Sequence, residues 1–198
     1  MANVISNAPG KQATKSAAMR RRICEAAVAR LAAEGYHRTS IAKVVAASGV
    51  STGALQHHFP TKLDLTAAVA EFLLARSVRY FARINAETEG AGLGQALQRS
   101  WIDQFKTTDY EALLQILVAA RTDPDLKARV APALEGWRAA MERELAALHP
   151  EGATRREVET TLTISRAMMT GLLVHDDLIG DDRRVAHVLD AWRRIAAP

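Results

Sequence analysis

The sequence predicts an all-α protein, and three observations carry that expectation. Apolar residues return every three or four positions through each long segment, glycine and proline breaks fall at helix-length intervals, and no stretch combines strand alternation with a hairpin signal. About nine helices follow. With 48% apolar residues in 198, the chain has the material for a proper core.

Residues 1–15 (MANVISNAPGKQATK) are polar, broken by Pro9 and Gly10 and without periodicity, which predicts a flexible basic arm. Met19, Ile23, Ala27 and Leu31 then recur at a spacing of four and give the first helix one apolar stripe. It should end at Gly35, a residue suited to a left-handed stop. Thr39 or Ser40 caps a short second helix bearing Ile41, Val44 and Val45, and "SGVS" interrupts it at Gly49. Ser51 caps a third helix that reaches about His58, before Pro60. Thr61, with Asp64 three residues on, opens a fourth helix that carries Leu65, Val69 and Phe72 on one face and extends to about Ala86. Breaks at Gly90 to Gly94, Asp123-Pro124, Pro150 to Gly152 and Gly180 divide the rest into about five helical segments. Pro132 lies inside one of them, which should kink or start there.

Composition narrows the setting. Cys24 is the single cysteine, so no intramolecular disulfide forms and a reducing, cytoplasmic location is expected. No apolar run is long enough for a signal peptide or a membrane span. Net charge is only +4, but up to Lys62 nine bases stand against Glu25 and Glu34, so the remainder is mildly acidic. A basic first third joined to a non-basic remainder suits a nucleic-acid reader with an appended domain; a solvated basic tail is the alternative.

Two short helices joined by a glycine-containing turn, among basic residues, form a helix-turn-helix, which lays its second helix in the DNA major groove. Gly49 supplies the positive backbone angle of the turn, Val50 packs beneath it, and Ser51 caps the recognition helix. Short side chains at Thr52, Gly53 and Ala54 allow its backbone close to base edges. His57 and His58 are neighbours on a helix, so their side chains diverge by about 100° and do not readily share a metal ion. DNA contact is favoured over metal binding or a purely structural role. No phosphate-cradling glycine loop, nucleophile elbow or His-Glu-x-x-His is present, so neither an enzyme nor a bound cofactor is expected.

The run "TSIAKVVAASGVSTGALQHHFPTKLDL" resembles the DNA-binding signature of the TetR/AcrR transcriptional regulators, closely from about Ile23 to Val69. "AARTDPDL", Ala119 to Leu126, also resembles a feature of the family's sensor domains. The resemblance implies an N-terminal three-helix helix-turn-helix DNA-binding domain, here residues 16–62, and a C-terminal helical ligand-binding and dimerisation domain, 63–198. It implies that Ser40, His58 and Lys62 hold phosphates, that Thr52, Gly53, Ala54 and His57 face base edges, that Lys43 serves either, and that Leu55 and Phe59 are core. Gln56 replaces the family's usual Tyr; its amide can donate to a phosphate or to a base.

The resemblance further implies a homodimer through the last two helices, about Thr154 to Ile179 and Asp182 to Ala196. Leu162, Ser165, Met169 and Leu172, with Ala167 and Gly171 beside them, form one candidate stripe, and Leu189 and Trp192 another; intramolecular core is the alternative for both. Pocket candidates are Trp101 and Phe105, then Leu113, Ile116, Leu117 and Arg121. Trp137, Met141, Met168 and His175 complete the set, all equally compatible with ordinary core. Arg121, on an otherwise apolar run, would meet a ligand carboxylate or an internal acid. The acids of "VHDDLIGDD" either bind a divalent metal or, as is favoured, end one helix and cap the next. The expected function is a one-component regulator, a repressor released from a palindromic operator by a mostly apolar small molecule. A helical protein-interaction module with an inactive helix-turn-helix is the alternative.

Overall fold

The computed structural model describes residues 11–87, 92–146 and 154–196, and these form nine α-helices and one π-helical turn, with no strand among them. The expected arm lies partly outside the described residues; from Lys11 onward the chain is helical.

Helix α1 (Lys11–Arg38) buries Ile23, Ala27 and Leu31 of the stripe read from the sequence, together with Cys24 and Val28, while Met19 at the head of that stripe is half-buried. At Gly35 the backbone adopts φ 76° and ψ 170°, a region only glycine reaches without strain, so the helix breaks there and a last turn runs to Arg38. The Thr39 hydroxyl donates back to the Gly35 carbonyl at 2.8 Å, which leaves capping of α2 (Ile41–Ser48) to Ser40. Gly49 stops α2 in the left-handed region at φ 65°, its N–H donating to the Val45 carbonyl. Helix α3 (Thr52–His58) starts at Ser51, whose hydroxyl accepts from the Ala54 N–H. Seven residues are too few for a stable isolated helix. Leu55 and Phe59, both essentially inaccessible, hold it down, each contributing about 2–3 kcal/mol through burial.

Thr61 and Asp64 exchange backbone-to-side-chain hydrogen bonds and open α4 (Lys62–Glu87) as a capping box. The α5 helix (Gly92–Ser100) runs directly into the π-helical turn (Trp101–Phe105), closed by Lys106 N–H to the Trp101 carbonyl at 2.9 Å. After α6 (Thr108–Ala120), the Asp123 carboxylate accepts from the Leu126 N–H and Pro124 occupies the first position of α7 (Pro124–Ala146). That start corrects one expectation for Pro132: α7 does not begin there, and the proline lies inside the helix. The proline removes one donor from the Ala128 carbonyl, and Ala128 is exposed, which lowers the cost of that loss. Helix α8 (Arg155–Ile179) opens on a Thr154–Glu157 capping box, and Asp181 caps α9 (Asp182–Ala196) after Gly180 at φ 72°.

Two cores result. The first joins α1, α2, α3 and the start of α4 to α6 and the first half of α7, with Ile23, Leu31, Phe59, Leu65, Ile116 and Leu126 inside. The α1 helix lies along α6, so helices on either side of residue 62 share this first core. The second core joins the end of α4, α5, the π turn and the end of α7 to α8 and α9. Leu162, Ser165, Met169 and Leu172 lie within it, so the stripe expected to face a second copy is intramolecular core. Small and apolar residues one step round the helix, Ile164, Ala167 and Val174, are exposed instead, with Gly171 half-buried between them.

Candidate nucleic-acid interface and sensor cavity

Thr52, Gly53, Gln56 and His57 all stand exposed on α3, with Ala54 half-buried, while Leu55 and Phe59 anchor the opposite face. A Cβ on Gly53 would meet nothing within 4 Å, so that surface is open. His58 is half-buried, its ring tilted against Phe59 and edge-on to His57. Burial, then the charges of His57 and Arg20, holds its pKa below the ordinary histidine value, which favours the neutral ring.

The cations nearby are partly committed to the fold. Lys62 donates to the Tyr36 carbonyl at 2.6 Å and to the His37 carbonyl at 3.4 Å, with its ammonium 4.2 Å from the Tyr36 ring centroid. It caps the last carbonyls of α1 from the first turn of α4 and keeps one N–H for another acceptor. Lys43 pairs with Glu34 and donates to the Arg38 carbonyl. Ser40 uses its hydroxyl to accept the Lys43 N–H.

Two arginines that sequence reading counted only as charge sit at the motif. Arg20 lies 4.7 Å over the Phe59 ring, and the Arg22 guanidinium covers the turn so closely that a Cβ on Gly49 would approach it to 2.7 Å. The run "RRR" at Arg20 to Arg22 was the only available signal, and it does not say which arginine points at the turn.

A cavity of about 430 Å³ lies between α4, the π turn, α6, α7 and α8. Of the sequence candidates, Phe105, Leu113, Leu117, Trp137 and Met141 line it. The others are elsewhere. Trp101 is buried and stacked on Phe105, Ile116 is in the first core, and Met168 packs on the second. His175 is exposed near the end of α8, and Arg121 is exposed just past α6, because that helix ends at Ala120 and turns its next residue to water. The α4 residues Leu73, Leu74, Ser77 and Phe81 were missed, as were Tyr110 and Arg166. An apolar α4 face signals burial but not which void it borders.

Of the "VHDDLIGDD" acids, Asp181 caps α9, while the Asp176 and Asp177 side chains lie outside the described residues. Among the described residues no group of three or more His, Cys, Asp or Glu side chains is placed to hold a metal ion. No helix there is long and apolar enough to cross a membrane.

A capped, open-faced short helix behind a glycine turn, braced on a helical body, defines a helix-turn-helix DNA-binding protein. Comparison with known proteins agrees. Residues 23–69 match the family described as bacterial regulatory proteins, tetR family. The HTH-type transcriptional regulator CymR of Pseudomonas putida is 30% identical over 190 residues, spanning 93% of this chain and 92% of CymR. A solved Mesorhizobium loti chain assigned to the TetR family superposes with a TM-score of 0.69 at 18% identity, covering 92% of this chain and 94% of that one. The multidrug binding protein EbrR, solved with imidazole, superposes with a TM-score of 0.64 at 21% identity, covering 100% of this chain and 98% of EbrR. The chain belongs to the TetR family of bacterial transcriptional regulators.

Proposed function

We propose that this regulator is a repressor that binds a palindromic operator as a homodimer and leaves it when a small, mostly apolar effector enters the cavity. The observation that carries the reading is α3, whose exposed Thr52, Gly53, Gln56 and His57 present a reading face held rigid by Leu55 and Phe59. Ser40, Lys43, His58 and Lys62, with Arg20 and Arg22, are the proposed phosphate side of the contact. One such helix reads too few bases, so two copies one helical turn apart are needed. The exposed Ile164, Ala167 and Val174 on α8, with the half-buried Gly171 between them, support pairing through the last two helices.

Release works as a population shift. The α4 helix lines the cavity with Leu73, Leu74 and Phe81, and at its other end Lys62 ties it to the end of α1. An effector favouring a displaced α4 by about 100-fold supplies about 2.7 kcal/mol of coupling against operator binding. Selection from a random duplex pool at moderate salt tests the reading. Recovery of an inverted repeat, with affinity falling steeply as salt rises, is expected. Failure of the folded protein to enrich any sequence would leave a protein-interaction module and point to Gln56 as the residue to revert to Tyr.

A further inference from the structure

The charged groups around the cavity are not equally occupied. Asp109 pairs with Arg76 at 3.2 Å, and Asp103 accepts the Tyr80 hydroxyl at 2.8 Å. Arg166, half-buried on α8, stands with its guanidinium 5.6 Å from the Trp137 ring centroid, and among the described residues no carboxylate lies at ion-pairing distance from it. Around it the wall is apolar and aromatic, with Phe105 and Tyr110 rings 4.4 Å apart and the Tyr110 hydroxyl tied to Thr170. A partly desolvated guanidinium facing an apolar void lacks the acceptor that normally offsets its burial.

A second observation sets the sign of the field. Arg76, Asp103, Gln104 and Asp109 also form one wall of a neighbouring groove of about 510 Å³, to which Arg21, Arg79 and Arg83 contribute. The two acids on the shared wall therefore face an excess of guanidinium groups, and neither leaves the cavity suited to a cation.

On the reading that the cavity takes the effector, we infer that this ligand is an apolar anion: a ring or chain body carrying one carboxylate or sulfonate, with the acid group on Arg166 over Trp137 and the body among Phe81, Phe105, Leu113 and Met141. Arg166 thereby sets charge specificity, and the cavity volume sets size. A planar guanidinium accepts a carboxylate in bidentate geometry while its face stays on the indole, which a lysine does not reproduce.

Two fluorescent probes of one shape separate charge from apolar body: anilinonaphthalene sulfonate and its neutral counterpart, phenylnaphthylamine. Each is titrated into the full-length protein and into Arg166→Gln, Arg166→Lys and the cavity-filling Leu113→Trp variant. The sulfonate should bind at least about tenfold tighter than the neutral probe. Arg166→Gln should erase that preference while leaving neutral-probe affinity and Tm unchanged, Arg166→Lys should keep part of it, and Leu113→Trp should exclude both. Equal affinities in the unmodified protein, a preference that survives Arg166→Gln, or sulfonate binding that survives Leu113→Trp would each overturn the inference. Operator affinity measured with each probe keeps the two readings apart. Release by both probes alike, with no charge preference, retains the effector reading and removes the anion requirement. Arg166-dependent binding without any change in operator affinity does the reverse.

Discussion

Gly49 concentrates two demands in one position: a left-handed backbone at φ 65°, and an arginine lying across its Cα. The second is cheap to relieve, because the atom a Cβ would meet is the tip of a flexible side chain. The first is not, since the left-handed conformation costs an L-residue about 1–2 kcal/mol. Gly49→Ala should therefore lower unfolding stability by about that amount in urea titrations. An unchanged midpoint would mean that the turn rearranges. Cys24 shows what burial does to a thiol: desolvation pushes its pKa up to about 11, with the Arg20 charge opposing weakly. The fold retains a proton that the unfolded chain releases near its ordinary value of 9.0, so this contribution to stability is complete below that pH and is lost as pH rises towards 11. Cys24→Ala should remove part of the alkaline decline in stability, and a thiol reagent at neutral pH should label Cys24 only after denaturation.

At the scale of elements, α4 links the two cores and Lys62 is its point of attachment to α1. The resemblance assigned Lys62 to phosphate alone, yet two of its donors are spent on α1 carbonyls. Lys62→Ala should weaken binding to all duplexes alike and also lower stability by about 1–2 kcal/mol, read by Tm and by salt-dependent affinity together. His57 is exposed, and among the described residues its one ring contact is edge-on to His58, so it should show the opposite pattern: His57→Ala leaves Tm nearly unchanged and alters preference at particular base positions. Equal losses on every sequence would remove it as a base reader. The helix-turn-helix was legible because its signals are local: Ser40, Ser51 and Gly49 cap or turn within a few residues of their own positions. The π-helical turn was not legible, since an extra residue in one helical turn follows from how Trp101 and Phe105 stack into the second core.

At the scale of the whole molecule, the periodicity of α8 fixed that one face is apolar but not which apolar face meets which neighbour. Met169 and Leu172 are buried in the second core, Met169 with its sulfur beside the Ser100 hydroxyl of α5, and Ser165 accepts the Trp192 indole N–H of α9 at 2.9 Å. In the proposed dimer, the strip centred on Ile164, Ala167 and Val174 is the face offered to a second copy. Ile164→Glu should convert dimer to monomer in light scattering while preserving helicity. Met169→Ala should instead destabilise the protomer by about 2–5 kcal/mol. Monomerisation by the second substitution alone would return the interface to the inner face.

By itself the sequence determined the all-helical class, the helix boundaries set by capping residues, and the DNA-reading motif with its Leu55 and Phe59 anchors. Periodicity, capping and the glycine turn depend on interactions between residues close in the chain, while the resemblance implied the Leu55 and Phe59 anchors that the first core holds. The tertiary structure decided the rest: that Lys62 is shared with α1, that Arg121 faces water while Arg166 faces the cavity, and that α8 turns Met169 inward and Ile164 outward. An apolar period states how much of a helix is to be buried, but the partner is chosen by packing among helices far apart in sequence, and only that packing leaves a void and points a charge into it.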